Sequence, residues 1–204
     1  MKSFGNFIVE EGRSIHYFDI DDTLMNTSKA PLKIHVKNEK GEHVQSLSSS
    51  QFNTHKLQPG HSYDFSEFRS SKKFAETAKP IRKTLAKMKA IHNNGGRVEM
   101  LTARGDMDDK QKFAQKWKGV GVDISKIHVR RAGNIKLPPA EAKASIISRA
   151  IKAHGHKEVH LYDDSKDNID SVLKLKEKHP DVAFHGHHVQ TDENGNITMK
   201  HYRA

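Results

Sequence analysis

With 204 residues, 35 lysines and arginines against 25 acidic residues, and no cysteine, the chain carries a net charge of +10 before any of its 15 histidines takes up a proton. That length holds one domain with room for an insertion, the lack of cysteine excludes disulfides and thiolate metal sites, and with no apolar run of about 18 residues a transmembrane helix is not expected. The basic balance favours polyanionic partners, nucleic acid first, and Met1 to Asn6 lacks the apolar stretch of a secretory signal, so the protein is expected in the cytoplasm, away from any membrane.

The first predicted element is a buried strand, Ile15–Asp21, whose carboxyl end brings Asp19 and Asp21 to the rim of a sheet, where ligands gather in open α/β folds. Two carboxylates held close together out of bulk water repel each other unless a cation or a proton lies between them. The pattern Asp19-Ile20-Asp21-Asp22-Thr23 therefore makes sense as a site for a divalent metal and an attacking carboxylate.

Next comes a polar, β-like stretch, Leu32 to Tyr63. Leu32 to Val36 alternates, Glu39-Lys40-Gly41-Glu42 is a turn signal, and Val44 to Leu47 returns. Its place directly after the acidic motif marks residues 25–70 as a cap inserted into the domain; Ser46 to Gln51 is a short serine-rich loop. Tyr63, Phe65 and Phe68 beside Arg69, Lys72 and Lys73 either contact nucleotides or anchor the cap to the core, with anchoring favoured. From Phe68 to Asn93 apolar residues recur at Phe74, Ala78, Ile81, Leu85, Met88 and Ile91, the spacing of a helix, with Pro80 starting a new helix and Gly95-Gly96 stopping it.

A strand Arg97–Thr102 follows, then a helix Asp108 to Lys118 with Phe113 and Trp117 on one face; Trp117 reads as core. The strand Lys126–Arg130 precedes a helix Pro139 to His154, closed by Gly155. The strand Glu158–Asp164 ends in Asp163-Asp164 and leads to a helix Asp167 to His179, with Asp167 and Asn168 as candidate caps. A last strand, Val182–Val189, overlaps a hairpin, Phe184 to Tyr202, turning at Asp192 to Asn196. His185-Gly186-His187-His188 offers ligands for a transition metal, but it lies on that strand without carboxylate or cysteine companions, and is read as a solvated strand edge. Strands alternating with helices predict an α/β domain over residues 1–204, with a mainly parallel five-stranded sheet covered on both faces and a C-terminal β-hairpin extension at 184–204.

Four signals at the ends of successive strands resemble the haloacid dehalogenase (HAD)-like phosphohydrolase superfamily: Asp19-x-Asp21-x-Thr23, Thr102-Ala103-Arg104, a lysine ahead of the fourth strand, and Asp163-Asp164. A receiver-like domain also uses an acidic pair, a Thr and a Lys, but the D-x-D-x-T spacing and the long segment after it argue against one. The resemblance implies a Rossmann-like HAD core, Asp19 as a nucleophile that becomes an aspartyl-phosphate, Asp21 as general acid and base, and Thr102 holding a phosphoryl oxygen, with Thr23 and Ala103 beside the phosphate. It implies Mg2+ held by Asp19, the Asp21 carbonyl and Asp164, with Asp163 orienting the lysine or a metal-bound water. Lys143 is the preferred lysine and Lys136 its competitor. Arg104 lies outside the general motif, and its position suggests a bidentate phosphate contact.

The chain is similar to HAD proteins of tailed bacteriophages, which would place it in a host cytoplasm, and to the phosphatase domain of polynucleotide kinase-phosphatases, which also has an arginine two residues past its hydroxyl. No G-x-x-x-x-G-K-[ST] of a kinase half occurs. The resemblance thus implies a Mg2+-dependent phosphatase acting on nucleotide or nucleic-acid phosphate ends. The reading from another class is a nucleic-acid- or protein-binding module that keeps the fold without catalysis.

Overall fold

Residues 14–27, 32–48, 51–52, 55–192 and 196–204 are described in a computed structural model of the protein; the amino-terminal segment, part of the serine-rich loop and the tip of the C-terminal hairpin lie outside them. The strands in chain order are β1 (Ser14–Phe18), β2 (Met25–Asn26), β3 (Ile34–Lys37), β4 (His43–Leu47), β5 (Ser62–Asp64) and β6 (Lys79–Pro80). After these come β7 (Arg97–Thr102), β8 (His128–Arg131), β9 (Glu158–Asp163), β10 (Ala183–Thr191) and β11 (Ile197–Arg203). The helices are α1 (Ser66–Arg69), α2 (Ser71–Thr77), α3 (Arg82–Asn93), α4 (Lys110–Gly119), α5 (Pro139–His154) and α6 (Lys166–Leu173).

The main sheet has six strands in the order β11-β10-β9-β1-β7-β8. All neighbours pair in parallel except β10 and β11. Counting its parallel strands along the chain, β1 is central, the next two build outward on one side, and the last two return to the other. That order is compatible with a doubly wound, Rossmann-like sheet whose switch point lies at β1 and β9.

Alternation along the central strands buries both faces, as two-sided coverage requires. Ile15, Tyr17, Val159, Leu161 and Phe184 pack under Ala142, Ile147, Ile169 and Val172 of α5 and α6. Phe18, Met100 and Tyr162 face Phe74, Leu85, Met88, Phe113 and Trp117 of α2, α3 and α4. Trp117 is a fully buried core residue, as its spacing predicts.

Several boundaries differ from the sequence reading. The expected last strand and hairpin are one unit: β10 pairs with β9 from Ala183↔Glu158 to His188↔Asp163, and β11 adds an antiparallel edge. The sheet is therefore six-stranded rather than five-stranded, and the hairpin is part of it rather than an extension. Pro80 does not start a helix. It pairs with Met25 in a two-stranded ribbon, and α3 begins after Ile81, whose N–H donates to the Leu24 carbonyl at 2.9 Å. The segment inserted after β1 thus closes at β6, beyond Ser70. Ser165, rather than Asp167 or Asn168, caps α6, which tightens into a 3-10 turn at Lys174–Glu177. Within the insertion, β4-β3-β5 form a small sheet whose Ile34, Val36 and Leu47 pack with Phe52, Tyr63 and Phe68.

On the α2–α4 side of the main sheet, β1, β9, β10 and β11 carry a ladder of imidazoles. His16 stacks on His160 at 4.3 Å, His160 on His185 at 4.4 Å, and His187 on Tyr162 at 4.1 Å and on His201 at 4.8 Å. Burial, with His160, His201, His185 and His16 adding like charge, lowers His187 from 6.5 to about 3. The wider surroundings offer Glu158, Lys87 and Arg203 as the other charges near the ladder. A histidine whose folded pKa is depressed contributes stability that is present above pH 6.5 and is lost as pH falls toward the folded value. Between pH 7 and pH 5 the wild type is expected to lose on the order of 1 kcal/mol more stability than His187→Gln, solvent screening allowed for. Urea unfolding at the two pH values measures the difference; equal losses would show that folded His187 takes up a proton freely.

Candidate active site

β1 ends at Phe18, and the next residue continues its ladder by one bond, Asp19 N–H donating to the Tyr162 carbonyl at 2.9 Å. The chain then turns within a few residues: the N–H groups of Leu24 and Met25 both donate to the Ile20 carbonyl, at 3.1 and 2.8 Å. Asp22 takes the left-handed conformation, φ 54°, which aspartate tolerates better than most residues. Its carboxylate accepts the Thr27 N–H at 2.8 Å. This turn leaves Asp19 buried at the strand end and Asp21 partly exposed beside it.

β9 supplies the second pair. Asp163 is fully buried at its last position and Asp164 follows on the exposed rim. Lys143, one turn into α5 and 1% exposed, donates to Asp19 Oδ1 and to Asp163 Oδ2, both at 2.7 Å. Asp163 Oδ1 accepts from Asn168 Nδ2 at 2.8 Å and from the Ser165 N–H at 3.0 Å. Thr23 Oγ1 lies 3.5 Å from Asp164 Oδ1, and His188 on β10 reaches the Asp164 carbonyl at 2.9 Å.

β7 supplies the third corner. Thr102 is buried and its hydroxyl accepts the Arg104 N–H at 3.1 Å, while Ala103 is exposed between them. The Arg104 guanidinium is not aimed outward at a phosphate. Its Nε and Nη2 donate to the two oxygens of Asp21 at 2.7 and 2.6 Å, and its Nη1 donates to the Phe68 carbonyl at 2.5 Å. The rings of Phe68 and Phe74 lie 5.2 and 5.0 Å from its central carbon. Gly133 lets the loop lie this close: a Cβ there would stand 2.3 Å from the Ala103 carbonyl oxygen.

Charge is unevenly compensated. Asp19, Asp21, Asp163 and Asp164 crowd around Lys143 and Arg104, and two cations do not neutralise four carboxylates. Burial alone would lower the Lys143 pKa, but Asp163 and Asp19 outweigh it and raise it, so the ammonium stays charged. Asp19 is raised well above the ordinary carboxylate range by burial, against the pull of Lys143 and with the push of Asp163, Asp164 and Asp21. The surrounding protein and the charges of Asp163 and Asp22 raise Asp164 to about 8; its exposure at the rim argues for a smaller rise in the same direction. Such rises mark negative charge that a bound cation would relieve.

Asp19, Asp163 and Asp164 each offer an oxygen, all within 4.8 Å of one another. An all-oxygen set suits a hard divalent cation. Asp163 is the most engaged of the three, accepting from Lys143, Asn168 and the Ser165 N–H, so Asp19 and Asp164 have the more open oxygens.

The crevice thus gathers Asp19, Asp21, Thr23, Thr102, Arg104, Lys143, Asp163 and Asp164, while Lys136 stays on the exposed loop before α5. The aromatic-basic cluster anchors the insertion, through Phe68 and through Arg69, whose Nε donates to the Asp106 carbonyl at 3.1 Å. Sequence reasoning treated Asn168 as a helix cap and missed its hold on Asp163; its place five residues after that acid, on the first turn of a helix, was the available signal. Compared with known proteins, the chain matches no family profile and no curated protein.

A carboxyl with a raised folded pKa loses its contribution as pH rises through that value, so at pH 9 without divalent ions the Asp164 charge opposes folding. Asp164→Asn is therefore expected to raise the Tm there by about 2–4 °C, the shift that about 1 kcal/mol produces in a chain of this size. Lys143→Met strands two buried carboxylates and is expected to cost about 3–5 kcal/mol. Thermal and urea unfolding in EDTA read both; a lower Tm for Asp164→Asn would show that its charge is already compensated.

Proposed function

We propose that the protein is a Mg2+-dependent phosphomonoester hydrolase of the haloacid dehalogenase type, with residues 25 to about 80 as its cap. The observation that carries this reading is the buried Lys143 bridge between Asp19 and Asp163, at the sheet's switch point and beside the surplus acid Asp164. Lys143 takes one oxygen of Asp19, and among the described residues no hydrogen bond is made to the other, which is left to attack phosphorus.

Asp19 forms the new O–P bond as the bond to the leaving oxygen breaks, and Asp21 gives that oxygen its proton. Asp21 then takes a proton from water, whose oxygen attacks phosphorus, releases phosphate and restores Asp19. Arg104 engages one lone-pair direction on each Asp21 oxygen and leaves others for the leaving group and water. Asp19 and Asp164 would hold Mg2+, which when bound offsets the combined charge of carboxylate and phosphoryl group so that they can approach. Lys143 contributes to the same end as a fixed charge already in place.

The substrate is assigned as a phosphate carried on a nucleotide or a nucleic-acid end. The net charge of +10 favours a polyanion, and Asp164 sits on an exposed rim that a bulky substrate can reach.

Mg2+-dependent hydrolysis of an aryl phosphate is expected, with loss of turnover in Asp19→Asn; no activity on any phosphomonoester would leave a binding module instead. On oligonucleotides with 3′- or 5′-phosphates, turnover is expected to exceed that on sugar phosphates, and the reverse order would remove the nucleic-acid assignment. Arg104→Lys breaks the bidentate clamp, so kcat is expected to drop on the order of 10²-fold with little change in KM. A raised KM at unchanged kcat would instead make Arg104 a phosphate-binding residue.

A further inference from the structure

The histidine ladder contains a second cluster at the opposite end of β9. Glu158, the first residue of that strand, reaches under its neighbours, and its Oε1 lies 3.3 Å from His160 Nε2 and 3.1 Å from His185 Nε2. The three donor atoms lie within 4.8 Å of one another. A tetrahedral ion with bonds of about 2.0–2.1 Å sets its ligand atoms about 3.3 Å apart, which the two carboxylate–imidazole separations match, and the two Nε2 atoms lie within 4.8 Å of each other. His185 is 8% exposed, and its buried Nε2 makes no hydrogen bond among the described residues; the Glu158 oxygen is near but outside hydrogen-bonding geometry.

The outer nitrogens are also arranged. His160 Nδ1 is 3.1 Å from His187 Nε2, and His185 Nδ1 is 3.1 Å from His201 Nε2. If each Nδ1–H donates outward along these contacts, the unprotonated Nε2 atoms of His160 and His185 both lie beside the carboxylate; the two rings stack at 4.4 Å and 10° apart, so they must turn out of that stack to share one ion. Partners of this kind fix the tautomer of metal-binding imidazoles. The Glu158 side chain is 43% exposed, which gives an ion a route in and leaves room for a water ligand.

We propose that Glu158, His160 and His185 form a binding site for a divalent transition-metal ion, Zn2+, which fastens β9 to β10 at the amino end of the sheet. Two imidazoles and one carboxylate suit zinc and disfavour magnesium. The site lies about 16 Å along β9 from Asp163, at about 3.3 Å per residue, and is separate from the acidic crevice.

The test uses the untagged full chain stripped with a chelator and dialysed. Calorimetric titration with Zn2+ in millimolar Mg2+ is expected to show one tight equivalent that persists in Asp164→Asn and weakens at least about tenfold in both Glu158→Gln and His160→Gln. Glu158 is half-exposed, so its variant is expected to remain folded, which circular dichroism checks. Co2+ in place of Zn2+ is expected to give the intense visible absorption of four-coordinate cobalt, lost in the same two variants. Absence of Zn2+ binding, binding unchanged in Glu158→Gln and His160→Gln, or binding lost only in Asp164→Asn would each overturn the proposal.

Discussion

A lysine ammonium with 1% of its surface exposed is stable only where charge of the opposite sign surrounds it, and the placement of Lys143 depends on that constraint. Asp19 comes from the end of β1, Asp163 from the end of β9, and Lys143 from the helix that precedes β9. Removing Lys143 leaves two buried carboxylates without their cation, whereas removing either acid leaves the ammonium with one carboxylate instead of two. The bridge therefore acts across three elements at once: it fixes how far α5 slides over the sheet, and it holds the two central strands in register at their carboxyl ends. Asn168 and the Ser165 N–H extend the same constraint into α6 by filling the remaining oxygen of Asp163.

The topology explains why the acids meet. β1 and β9 are far apart in sequence but adjacent in the sheet, because the chain builds β7 and β8 on one side and then crosses to the other. The acids stand at the strand ends where the connections diverge to opposite faces of the sheet. A charged cluster can sit there without displacing the apolar packing above and below the sheet. The two cores remain intact on either side, and the polar machinery occupies the seam between them.

Much of this was legible from residue order. The parallel strands and the α5 helix from Pro139 to His154 follow from apolar periodicity, and the placement of Asp19 and Asp164 follows from acids at predicted strand ends, whereas Thr102 is marked only by the resemblance. What could not be read were relations between residues remote in sequence. Nothing local to Arg104 shows that Phe68 and Phe74 will turn its guanidinium toward Asp21. Pro80 looks like a helix start because proline suits a first turn, yet pairing with Met25 makes it part of a ribbon. The histidines of β10 looked companionless because Glu158 and His160 stand on the neighbouring strand, and parallel register alone brings them opposite. Lys143 and Lys136 are equivalent as letters; burial separates them.

The Phe68 carbonyl accepts from the same guanidinium that grips Asp21, and Phe68 belongs to α1, within the inserted segment. The insertion is thus tethered to the Asp21 carboxylate of the core through the Arg104 side chain. Any shift of α1 away from the sheet frees one of the three guanidinium nitrogens and loosens the plane in which Asp21 is held. Displacing α1 and loosening the hold on Asp21 are consequently one mechanical event, with Arg104 as the latch.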